Sequence, residues 1–189
     1  MSGSIYRQHT EMLKKTLIFL LLLIVALAER LWFDLGPNVE LIMLTSVLAS
    51  MYLGKKWGVA LAILALALSD LVIGNTMIMV FTWSAFAGIA FLGGLIKKWK
   101  GGKRVVVAGG YGLVSALVFY FYTNFGVWLI SGMYQKTLAG LIKCYVMALP
   151  FLRLHAVSSV VLLTGSVLIV NILSRFRTTV RFGTTASYK

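Results

Sequence analysis

Few residues in this chain could do chemistry, and they sit in apolar surroundings. The acids number 5 in 189 residues: Glu11, Glu29, Asp34, Glu40 and Asp70. Ionisable groups within apolar runs are costly, so each is a candidate for pairing or for binding a ligand. Asp70 lies deepest in its run, "LSDLVIG", and Arg30 is the basic residue expected nearest to it, followed by Lys143 and Arg153. Tyr120, Phe121, Tyr122, Phe125, Trp128 and Tyr134 form an aromatic cluster close by in sequence. Two chemistries fit this set. The charges could pair or snorkel while the aromatics form an interfacial belt. Alternatively, they could line a pocket for a small polar or aromatic ligand.

Catalytic arrangements are missing from the sequence. It has no Ser/His/Asp set in a supporting context, no carboxylate pair flanking a cleft and no glycine loop for phosphates. "KKWKGGKR" at 97–104 has two glycines, but no strand precedes it. The single Cys144 excludes an internal disulfide and a thiolate cluster, and His9 and His155 share no ligand spacing. The expectation is a protein that is not an enzyme and needs no cofactor or metal.

The elements that position these residues follow from composition. The chain is 60% hydrophobic and 12% charged, with a mean hydropathy of +0.92, whereas a soluble domain carries roughly 25% charged residues. It reads as an all-α multipass membrane protein. A membrane-crossing helix needs about 20 apolar residues. The runs at 17–33, 39–54, 57–74, 76–96, 105–122 and 152–173 give six. No cleavable signal is visible before the first, which is expected to be retained.

Between the fifth and sixth runs lies "TNFGVWLISGMYQKTLAGLIKCYVMALPF". Asn124 and Gly126 are expected to end the fifth helix. The 13 residues at 137–149 read as a short amphipathic helix, re-entrant or interfacial, with Pro150 starting the last span. With six spans, every Lys and Arg except Arg30, Lys136, Lys143 and Arg153 falls on the side of the two termini. That bias predicts cytoplasmic N and C termini in a prokaryotic inner membrane. It also accounts for the +13 formal charge without nucleic acid. The organisation expected is a cytoplasmic segment at 1–16, one membrane domain at 17–174 and a basic cytoplasmic tail at 175–189. Small residues at Ala108, Gly112 and Ala116, and at Ala65 and Ser69, are expected to pack helices closely within the chain.

"PNVELIMLTSVLASMYLGKKWG", "LSDLVIG" and the 123–151 block together resemble a family of prokaryotic multipass proteins. That family is itself similar to the substrate-binding S components of energy-coupling factor (ECF) vitamin transporters. The resemblance implies a six-helix fold whose pocket opens to the outer side. Its patterns fall on Asp70, Asn124, Trp128 and Tyr134, which implies ligand-binding roles for them, and the charge reading adds Lys143 and Arg30 to the expected ligand-binding residues. Its implied partners, besides the lipid bilayer, are a membrane coupling subunit and ATPases. The expected function is therefore S-component-like capture of a small molecule for uptake. The alternative is a structural subunit of a larger membrane complex. Three departures point that way: Glu40 stands where the family has Ser/Thr and Pro, no acid follows Pro150 and Phe151, and the chain carries the basic tail "SRFRTTVRFGTTASYK".

Overall fold

The computed structural model describes residues 2–33, 35–36 and 39–183, with the side chains of 2–5 and 175–183 left out. The described residues are helical apart from short turns. Helix α1 (Ser2–Ala28) runs into a π-helical turn, Glu29–Phe33. Helices α2 (Leu41–Tyr52), α3 (Lys55–Ile73) and α4 (Met79–Gly93) follow, and α4 tightens into a 3₁₀ turn at Gly94–Lys98. Helices α5 (Gly101–Ile130) and α6 (Leu138–Gly183) form a long antiparallel hairpin.

Five helices are long and apolar enough to cross a membrane: Tyr6–Phe33, Lys55–Ile73, Met79–Lys98, Gly101–Ile130 and Leu138–Ser174. The expected second span is different. Helix α2 has 12 residues, about 18 Å at 1.5 Å per residue, against a hydrocarbon core of about 30 Å. It is an interior helix. Ile42, Val47 and Ala49 are fully buried, and Thr45, Ser46 and Ser50 are buried with them. Their hydroxyls stay satisfied: Thr45 Oγ1 donates to Leu41 O at 2.7 Å, and Ser50 Oγ reaches Ala90 O of α4 at 2.5 Å. Gly58 of α3 lets the two helices touch, since a Cβ there would fall 2.5 Å from Ser46 O.

The segment between the fifth and sixth runs also departs from expectation. Residues 138–149 are not a separate re-entrant or interfacial helix. They are the first turns of α6, a single helix of 46 residues with Pro150 inside it. Proline removes one ladder bond and crowds one carbonyl, but ending the helix in lipid would orphan several backbone groups. Continuity is the smaller loss, and α5 braces both halves. Asn124 and Gly126 do not end α5 either. Asn124 Nδ2 donates to Tyr120 O at 2.8 Å along its own helix. Gly126 leaves the space taken by the Phe81 ring of α4.

The expected close packing along α5 is internal. Ala108 and Ala116 are fully buried, as are Ala65 and Ser69 on α3. A Cβ on Gly112 would lie 2.8 Å from Ser159 O of α6. Within the expected tail, 175–183 continue α6, and 184–189 lie outside the described residues.

Candidate functional site

Residues from four successive elements meet at the end of the bundle where α1 finishes and α2 begins. The π-helical turn widens the chain at Glu29–Phe33 and turns Glu29 inward, to 7% exposure. π-Helical turns are rare and frequently mark functional sites. Glu29 Oε2 accepts the Leu41 N–H at 3.1 Å, which places a carboxylate on an unsatisfied donor at the start of α2. Arg30 Nη2 lies 3.1 Å from Asp70 Oδ1, and Nη1 lies 3.8 Å from Glu40 Oε1. The other Asp70 oxygen accepts Trp83 Nε1 at 2.8 Å and the Asn75 amide.

Both Asp70 oxygens are thus engaged, and the side chain is 7% exposed. The expected Arg30–Asp70 partnership is present. Lys143 and Arg153, the next candidates, make no bond to Asp70. Asp34 lies outside the described residues. Asn75, Trp83 and Glu40 were missing from the site residues expected from the sequence. The α3–α4 turn "GNT" carries the signal, because it brings the chain straight back past Asp70, and an indole N–H in lipid needs an acceptor.

The other expected site residues lie elsewhere. Trp128 closes the α5–α6 turn: its Nε1 donates to Gln135 O at 2.9 Å, and Lys136 Nζ bonds Trp128 O while sitting 5.5 Å from the centre of the Trp128 ring. Gly132 takes φ +72° within that turn. Thr137 caps α6 through its Oγ1, 3.1 Å from Gly140 N. Tyr134 and Lys143 line one cavity of about 270 Å³ with Met133, Gln135, Ala139 and Gly140. Asn124 lines another, of about 160 Å³, with Thr123, Tyr120 and His155. Among the described residues, no hydrogen bond or ion pair joins Arg30 and Asp70 to Asn124, Trp128, Tyr134 or Lys143. Arg30 and Asp70 pair directly, Tyr134 and Lys143 line one cavity, and Asn124 lines another.

Cys144 is buried, with Sγ 3.4 Å from Asn124 O, and is a packing residue between α5 and α6. Among the described residues, no group of three His, Cys, Asp or Glu is placed to hold a metal ion.

A family model matches residues 10–180, under the description "Family of unknown function (DUF6580)". No curated protein and no solved structure matches the chain.

Proposed function

The chain belongs to the DUF6580 family, and from that premise we propose that it is a non-enzymatic substrate-binding membrane protein, similar to ECF S components. On this reading it captures a small molecule at the end of the bundle that holds the α5–α6 turn, taken as the outer side, and hands it to a coupling subunit driven by ATPases. One observation supports this most directly. The cavity of about 270 Å³ at that turn carries Lys143, and no acid among the described residues pairs with it. A polar cavity with an unmatched charge at the membrane boundary suits capture from water.

A second reading rests on a different observation. The Asp70 carboxylate is saturated by Arg30, Asn75 and Trp83, leaving it little capacity for a ligand. A closed buried network suits a fixed structural subunit of a larger membrane assembly. Co-purification from native membranes in mild detergent separates the two. Recovery of ATPase and coupling subunits is the expected result. Recovery of a stable assembly with electron-carrier or pigment-bearing subunits instead would overturn the capture reading.

A further inference from the structure

The cavity at the α5–α6 turn has a chemical character that can be read from its walls. Gly140 and Ala139 lie three and four residues before Lys143 on α6, so both neighbour it on the helix surface. Gly140 lets the Gln135 backbone carbonyl pack against the helix, Ala139 adds only a methyl to the wall, and Lys143 brings an ammonium to the cavity. The turn supplies Tyr134 and Gln135 to the lining, and neither side chain makes a hydrogen bond among the described residues. The start of α6 is already capped by Thr137, so the positive character comes from the lysine.

The charge balance of the chain sharpens this. Glu11 pairs with Lys14 at 3.0 Å near the N-terminus. Glu40 and Asp70 converge on Arg30. Glu29 accepts the Leu41 N–H. These four acids are engaged elsewhere, and the fifth, Asp34, lies outside the described residues. Lys136, next to the cavity, adds a second cation held against Trp128. Cations on this side run against the bias that places most Lys and Arg at the other end. Two of the four exceptions are Lys136 and Lys143.

We infer that this cavity is an oxyanion site. It takes one carboxylate or phosphate group, held by the Lys143 ammonium with the Tyr134 hydroxyl and the Gln135 amide as further donors. The volume of about 270 Å³ lies just below the roughly 300–1,000 Å³ of drug-sized pockets, so the group belongs to a small molecule or to a lipid headgroup. The inference names the ligand class for the capture reading and rests on it for physiological purpose. The site itself can be tested alone.

The test uses the full chain in nanodiscs of phosphatidylcholine. Unfolding temperature is measured with inorganic phosphate, citrate or chloride at equal ionic strength. Phosphate or citrate is expected to raise it above the chloride value, with an apparent affinity at least tenfold weaker in Lys143→Met and reduced in Tyr134→Phe. Arg153→Met serves as a control and should respond like the unaltered protein. A parallel series adds phosphatidylglycerol to the nanodiscs without soluble oxyanion. A Lys143-dependent rise seen only with that lipid supports the site with a headgroup as ligand, and counts against capture from water. A response to none of the probes, or one equal in Lys143→Met, overturns the site. Lys143 is exposed and has no partner among the described residues, so its replacement leaves the fold intact.

Discussion

The Tyr120 hydroxyl of α5 donates to the Tyr145 carbonyl of α6 at 2.6 Å, while the Tyr145 hydroxyl donates back to the Phe121 carbonyl at 3.0 Å. The two tyrosines clasp the hairpin five residues before Pro150, where the α6 ladder is weakened. Tyr120 is the buried member, at 6% exposure. Tyr120→Phe strands a buried carbonyl contact and is expected to cost about 1–3 kcal/mol. Tyr145→Phe, at the more exposed bond, should cost less. Reversible unfolding in detergent measures both, and equal costs would contradict this ranking.

Pro150→Ala restores the missing N–H within an already continuous helix. The variant should be at least as stable as the parent, with unchanged helical content by circular dichroism. A loss of helix or of stability would mean that the proline is required to divide α6 in two.

The Arg30–Asp70 contact should behave as a coupled pair. Asp70→Asn and Arg30→Gln are each expected to destabilise by about 1–3 kcal/mol, since each leaves a partner group poorly matched. A double-mutant cycle should return a coupling within about 0.5–3 kcal/mol. Additive effects would show that the two groups do not sense each other. Asp70→Leu combined with Arg30→Met should recover part of the loss, as apolar replacement of whole buried pairs often does.

Gly126 is expected to tolerate no side chain while Phe81 lies against it. Gly126→Ala should lower stability by about 1–3 kcal/mol through overpacking, and Phe81→Leu in the same chain should relieve it. Failure of the second change to rescue the first would place the conflict elsewhere.

Cysteines introduced singly at Lys100 and Gly132, in a Cys144→Ser background, should react with an impermeant reagent from opposite sides of the membrane. Labelling of both from one side would be incompatible with α5 crossing it.

The long apolar helices were legible because hydropathy over about 20 residues is a strong signal, and lipid leaves few alternatives to helix. The same signal reads α2 less well, because its 12 residues fall short of a full span. Its run is as apolar as a lipid-facing span, and hydropathy does not distinguish lipid from protein interior as surroundings. Thr45, Ser46 and Ser50 were the available hint, since three hydroxyls suit a helix enclosed by others. Asn124, Gly126 and Pro150 misled because each is a helix breaker in water. Here Asn124 folds back on its own helix, Gly126 seats a ring and Pro150 is braced across the hairpin. The Arg30–Asp70 pair was legible from depth and charge alone. Trp83 and Asn75 were not, because donors of this kind are common and only the path of the α3–α4 turn singles them out.

The short, enclosed α2 has a consequence for biogenesis. A 12-residue segment offers an insertion machinery too little length to be released into lipid as an independent span. It can settle only once α1, α3 and α4 provide the walls around it. Its entry is thus a folding event rather than a partitioning event, and a nascent chain ending near Tyr52 holds this segment in no stable place. The buried serines and the absent side chain at Gly58 shape the seat that those walls must offer it.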